Sequence, residues 1–198
     1  MKSTNVTRVS HLVSMENRWQ RQGHRGGVLW FTGLPASGKS TLAYALEAHL
    51  FEQGYEVFAF DSARLRQGLN TDLEFTREDR RENIRRASEL AAVMARAGIV
   101  VIAGFISPYV TDRAAARRAA GDGFHEIYLS APLEVCESRD DRGRYVRARA
   151  GGLADFTGID APYESPDNPD VTLDTATLSV DACVDRLSAY VAEAFRVP

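Results

Sequence analysis

Eight residues, Gly33-Leu34-Pro35-Ala36-Ser37-Gly38-Lys39-Ser40, constrain this 198-residue chain more than any others. They fit the pattern G-x-x-x-x-G-K-[ST], and they stand in the context that the pattern needs. Before them, Val28-Leu29-Trp30-Phe31-Thr32 is a continuous apolar run, as in a central parallel strand. After them, Ser40 to Gln53 carries Leu42, Leu46 and Leu50 at helical spacing and closes at Gly54. A strand, a glycine-rich turn and a helix in that order aim backbone N–H groups and the positive end of a helix dipole at phosphate oxygens. Lys39 then reaches the β- and γ-phosphates of a bound nucleotide, Ser40 ligates Mg²⁺, and Thr41 follows on the same helical turn.

The alternation continues downstream. Glu56 to Phe60 reads as a strand that delivers Asp61, and Asp79 to Ala97 as a helix with Ile84, Ala87, Ala91 and Met94 on one face. Ile99 to Ala103 is a strand buried on both faces, Thr111 to Ala120 a helix, Glu126 to Leu129 a strand, and Pro132 opens a short helix. Residues 140–169 turn to Arg, Gly, Asp and Pro without sustained periodicity, as a mobile lid does. Val171 to Leu173 is a last strand, and Ser179 to Phe195 a helix presenting Cys183, Leu187, Val191 and Ala194 inward. The expected fold class is α/β, a P-loop NTPase-type parallel sheet flanked by helices, with ligands at the C-terminal ends of the strands. Residues 1–27, rich in Arg, His and Gly, read as an arm or solvated tail, and 28–198 as one kinase domain, which this length suits.

A net charge of -3 offers no broad basic field for nucleic acid or anionic lipid, so a polyanion has to be gripped locally. The most apolar run, Gly98 to Ile106, is too short to cross a bilayer, and Met1-Lys2-Ser3-Thr4-Asn5 lacks the apolar stretch of a secretory signal; both point to the cytoplasm. Cys136 and Cys183 fit neither a disulfide framework nor metal-ligand spacing and read as buried reduced thiols. Phosphoryl transfer depends on positioning and charge neutralisation, so the loop predicts a kinase using ATP and Mg²⁺ but leaves the acceptor open.

Four further segments bear on the acceptor: Arg66-Gln67-Gly68-Leu69-Asn70, Asp79-Arg80-Arg81-Glu82-Asn83-Ile84-Arg85-Arg86, Phe105-Ile106-Ser107-Pro108-Tyr109, and Ala148-Arg149-Ala150-Gly151 followed by Phe156-Thr157-Gly158-Ile159-Asp160. Together with the loop they resemble, in the same order, the motifs of the adenylyl-sulfate kinases, which phosphorylate the 3′-hydroxyl of adenosine 5′-phosphosulfate. The likeness extends to His24-Arg25-Gly26 and Pro162-Tyr163-Glu164, essentially the whole chain. It implies that Arg66, Arg80 and Asn83 bind the substrate, that Phe75 and Phe156 sandwich its adenine, and that the backbone of Ile106 and Ser107 reaches it. It also implies that Arg139 packs on the adenine of ATP and that the chain forms a homodimer. Guanidinium groups suit phosphosulfate oxygens, and aromatic faces suit a base. Without the resemblance, Arg80, Arg85 and Arg86 read as a solvated helix face, Phe75 and Phe156 as core, and Arg139-Asp140 as an ion pair.

The chain departs from that family on the acceptor side. The family's Asp-Gly-Asp-Asn, whose second Asp is the candidate base, is here Asp61-Ser62-Ala63-Arg64. Asp61 can hold Mg²⁺ through water or act as a displaced base, whereas Ala63 accepts no proton. The lid's Tyr-Lys-Lys-Ala-Arg becomes Tyr145-Val146-Arg147-Ala148-Arg149, with Arg147 its remaining substrate-side cation, and Glu74 replaces a glycine. The simplest acceptor remains adenylyl sulfate. The clustering of changes on one side leans toward a pocket rebuilt for another nucleotide, nucleoside or small alcohol, and a non-catalytic nucleotide binder is the third reading.

Overall fold

The computed structural model describes residues 11–198; the start read above for a secretory signal lies outside them. Five strands, β1 (Gly27–Thr32), β2 (Val57–Asp61), β3 (Val100–Gly104), β4 (Phe124–Ser130) and β5 (Val171–Asp174), form one sheet in the order β2-β3-β1-β4-β5. Every pairing is parallel, with Leu29 opposite both Ile102 and His125 in the centre. Each of β1 to β4 is therefore followed by a crossover, and the C-terminal ends of β1, β2 and β3 lie side by side.

The helices are α1 (Met15–Gln22), α2 (Lys39–Glu52), α3 (Ser62–Arg66), α4 (Arg77–Arg96), α5 (Val110–Ala120), α6 (Leu133–Ser138), α7 (Arg144–Arg149) and α8 (Val180–Ala194). They sort to the two faces by the period-2 alternation of the strands. Leu29 and Phe31 of β1 face α2 and α8, meeting Leu42, Leu46, Leu50, Leu187 and Val191. Val28 and Trp30 face α4 and α5, meeting Ile84, Ala87, Ala91 and Ala116. Both cysteines are free and buried, as their apolar context predicts. At the open edge of the sheet, the Glu47 carboxylate of α2 accepts a hydrogen bond from the N–H of Ala59 in β2 at 2.6 Å.

The structure corrects three expectations. The described part of the arm is ordered rather than a loose tail: α1, with no buried residue, is capped by Ser14 and Gly23, and His24 is buried with its Nε2 accepting from the N–H of Glu56. The segment 140–169 is not without regular structure, because α7 forms in it and buries Tyr145 and Ala148. Directly after β2, Asp61 caps a helix, α3, that the short Ser-Ala-Arg-Leu-Arg run did not announce.

Candidate active site

The eight-residue loop leaves β1 with Gly33 at a φ of 154° and a neighbour that only glycine tolerates, since a Cβ there would sit 2.6 Å from the carbonyl oxygen of Leu129. Ala36, at φ 59°, holds the left-handed region without being glycine, and Gly38 begins α2 in the same region. Lys39 is almost wholly buried, and its ammonium donates to the carbonyls of Gly33 and Leu34 and to the hydroxyl of Ser37 at 2.9, 2.7 and 3.3 Å. Burial pushes its pKa down to about 7, against the pull of nearby Cys136 and Asp61, and with Arg144 adding to the fall. Ser40 donates to Asp61 Oδ2 at 2.7 Å, so the last residue of the loop and the last residue of β2 share one point at the strand ends. The other oxygen of Asp61 accepts from the N–H of Arg64 and caps α3. Two hard oxygen donors on adjoining elements suit Mg²⁺, which keeps few protein ligands and completes its shell with water and nucleotide phosphate.

Beside the loop lies a cavity of about 370 Å³ lined by Ser37, Gly38, Thr41, Arg139, Thr175 and Val180, among others. Arg139 does not pair with Asp140. It donates to the carbonyl of Thr175 at 2.7 Å, while the Asp140 carboxylate binds Arg144 and the N–H of Tyr145. The ion-pair reading of Arg139-Asp140 therefore falls, and the Arg139 side chain lines the cavity. Thr175 was missed from sequence although it follows β5 directly; its hydroxyl donates to the carbonyl of Ser37 and fastens that turn to the loop.

Of the residues that the resemblance assigns to the acceptor, Arg66, Phe75, Arg80 and the segment of Phe156 lie together. Arg80 donates to the carbonyls of Phe75 and Asp155, tying together the two segments that carry Phe75 and Phe156. Arg66 donates to the carbonyls of Leu73 and Glu74 and lies 4.5 Å over the ring of Phe75. Phe75 is 67% exposed, which overturns the core alternative for it; Phe156 is half-buried, edge-on to Tyr145. Asn83 is buried, exchanging hydrogen bonds with Asn70 and Ser62. Of the presumed solvated face, Arg85 and Arg86 pair with Glu82, whose carboxyl the Arg85 hydrogen bond in particular holds down at about 2. Arg147 and Ala63 are exposed, and Arg147 makes no side-chain hydrogen bond or ion pair with the described residues. The Arg64 guanidinium lies over the ring of Phe58, 5.9 Å from its centroid.

Ile106 and Ser107 follow β3, with Ser107 at φ 39°. A buried chain of hydroxyls holds them there. Thr32 gives its one proton to the carbonyl of Ile106, so Ser107 and Tyr163 both donate to Thr32, and Trp30 Nε1 donates to Ser107 Oγ. The Ser107 carbonyl accepts from Arg113 at 2.8 Å, and the N–H groups of Ile106 and Ser107 meet no acceptor among the described residues. Arg113 also reaches Glu126 at 2.6 Å and the carbonyl of Glu164, and it is only 3% exposed. Its position in the first turn of an Ala- and Arg-rich helix gave no sign of this. Arg113→Ala is expected to cost about 3 kcal/mol, since it removes the close partner of the largely buried Glu126 carboxylate and leaves it only Arg117, at 3.9 Å; urea unfolding followed by circular dichroism reads it directly.

Residues 25–174 match the family described as adenylylsulphate kinase. The adenylyl-sulfate kinase of Clostridium acetobutylicum is 49% identical over 189 residues, 96% of this chain and 94% of its own length. That of Marinobacter nauticus is 47% identical over 191 residues, 96% of either chain. Among solved structures, the Mycobacterium tuberculosis APS kinase CysC in complex with AMPPNP and APS superposes with a TM-score of 0.80 at 43% identity, over 83% of this chain and 96% of that one.

Proposed function

The chain belongs to the adenylyl-sulfate kinase family, and from that premise we propose that it transfers the γ-phosphoryl group of ATP to the 3′-hydroxyl of adenosine 5′-phosphosulfate. It is an ATP-dependent phosphotransferase acting on a hydroxyl, as its relatives are named. The observation that carries the reading is the meeting of Lys39, Ser40 and Asp61 at the ends of β1 and β2, beside the segment Ile106–Ser107.

The roles follow from position. Residues 33–40 wrap the triphosphate with backbone N–H groups, Thr41 and Arg139 flank the nucleoside, and Lys39 neutralises charge that builds on the transferred group. Ser40 and, through water, Asp61 would hold Mg²⁺, which would supply further neutralisation of the phosphate charge. Arg66, Arg80, Asn83 and Arg147 orient the acceptor, with its adenine between Phe75 and Phe156 and its sugar against the free N–H groups of Ile106 and Ser107. The acceptor oxygen bonds to phosphorus as the bond to the β-phosphate oxygen breaks, and the hydroxyl proton leaves to Asp61 or to water. A homodimer and a cytoplasmic location belong to the same reading, as do a kinase domain spanning 28–198 and a lid at 140–169. No helix of the described residues is long and apolar enough to cross a membrane.

A coupled ADP-release assay across adenylyl sulfate, AMP, nucleosides and sugars tests this. ADP release with adenylyl sulfate is expected. Turnover of a different acceptor in its place would shift the function to a rebuilt pocket, and ATP binding without turnover of any acceptor would make the chain a nucleotide-binding relative.

A further inference from the structure

Tyr145 occupies a position that none of the roles above uses. It lies on α7, in the segment between the two substrate sites, and is 2% exposed. Its hydroxyl donates to the carbonyl of Pro35 at 2.9 Å, inside the phosphate-wrapping loop, and its ring meets Phe156 edge-on, 4.9 Å between centroids at 77°. Its own N–H is held by Asp140, whose carboxylate Arg144 also binds. One side chain therefore touches the donor cradle with its polar end and the acceptor clamp with its apolar face.

Each contact constrains something specific. A trans peptide is planar and its N–H points opposite to its C=O, so fixing the Pro35 carbonyl fixes the direction of the N–H of Ala36. That N–H meets no acceptor among the described residues, whereas the next, of Ser37, is spent on the carbonyl of Leu34. Ala36 also sits in the left-handed region, where a non-glycine residue needs support from its surroundings. On the other side, Asp160 accepts from the N–H groups of Asp155 and Phe156, and Arg80 takes the carbonyl of Asp155, so the backbone under Phe156 is pinned while its ring rests on Tyr145. The same segment abuts the loop directly: a Cβ on Gly158 would come within 3.1 Å of Leu34 Cδ2.

We propose that Tyr145 is a positioning residue that couples the two substrate sites, so that nucleotide seated on the Ala36 N–H stabilises the lid position in which Phe156 receives the acceptor base. Coupling of this kind is reciprocal: the factor by which one ligand tightens the other is the same in both directions. The proposal rests on the acceptor reading above for its second half only.

The test is equilibrium binding of AMPPNP and adenylyl sulfate, alone and together, to the full chain and to Tyr145→Phe and Phe156→Leu. Tyr145→Phe keeps the ring and removes the hydroxyl; it is expected to weaken AMPPNP alone about two- to tenfold, the worth of one ordinary hydrogen bond. Phe156→Leu should leave AMPPNP alone unchanged. In the unmodified chain AMPPNP should tighten adenylyl sulfate by a factor of about 5 or more, and both variants should bring that factor toward one. An unaltered AMPPNP affinity in Tyr145→Phe, or a coupling factor that survives both substitutions, overturns the proposal. If the unmodified chain binds no adenylyl sulfate, the acceptor reading fails and the coupling half falls with it, while the loss of AMPPNP affinity in Tyr145→Phe still reads the Pro35 contact independently. Matching thermal midpoints for the two variants and the parent exclude general unfolding as the cause.

Discussion

Lys39→Met is expected to lower the rate of ADP formation by about 10³-fold, with the fold intact. Methionine matches the length and burial of the stem but carries no charge, and cationic groups aimed at a transferring phosphoryl group supply on the order of 10³–10⁵ of its rate. The loss should fall mainly on kcat, because loop N–H groups still hold the ground-state phosphates. A second readout ties the effect to the charge. Burial leaves the Lys39 ammonium with a pKa of about 7, so above neutral pH much of the free protein carries it unprotonated. Phosphate oxygens favour the charged form, so ATP binding should draw a proton from solution, more of one at pH 8 than at pH 6. Calorimetry in buffers of different ionisation enthalpy measures that uptake, and Lys39→Met should abolish it. Uptake that persists in the variant would assign the proton to another group, and a rate within tenfold of the parent would remove Lys39 from the phosphoryl centre.

Ala63→Asp is expected to raise the rate on adenylyl sulfate, by tenfold or more within the ~10²–10⁴ ceiling for a positioned base. Both carboxylate oxygens of Asp61 are engaged, by the Ser40 hydroxyl and the Arg64 N–H, which leaves α3 without a free carboxylate at the end that faces the strand termini. Ala63 is exposed, so an aspartate fits without displacing the core, and an acid in the first turn of a helix is favoured by its dipole. The repulsion from Asp61 opposes it. Steady-state rates at saturating ATP decide: a fall on adenylyl sulfate would mean that the pocket is built around the methyl group, for an acceptor that the carboxylate crowds.

The donor site was legible because its chemistry is local. Eight consecutive residues, one strand before and one helix after, carry the phosphate cradle, and each lies within two residues of the predicted place. The sheet followed from the same alternation. What escaped reading was every contact made across the fold by a residue of ordinary appearance. Arg113 looks like one of several arginines on an alanine-rich helix, and only the return of the chain at Glu164 and the approach of Glu126 make it a buried hub. Tyr145 lies in a stretch without sustained apolar periodicity, because a two-turn helix packed on one side shows only Tyr145 and Ala148 as buried positions. Asp61 was recognised for its charge, but its second duty as the cap of α3 depends on a turn that a five-residue helix barely marks. Phe75 was separable from core only once its exposure was known.

The Glu47–Ala59 contact bears on how the molecule behaves in a crowded solution. β2 borders the sheet, and a bordering strand offers its unpaired amides as a template on which another chain can crystallise into a ribbon. Here the middle amide of a five-residue border is already occupied, by a carboxylate that brings negative charge to the seam. An incoming strand would have to expel that carboxylate before pairing. The sheet therefore ends by chemical termination rather than by running out of chain, and polymerisation along this border is blocked by a side chain from the very helix that opens on the phosphate loop.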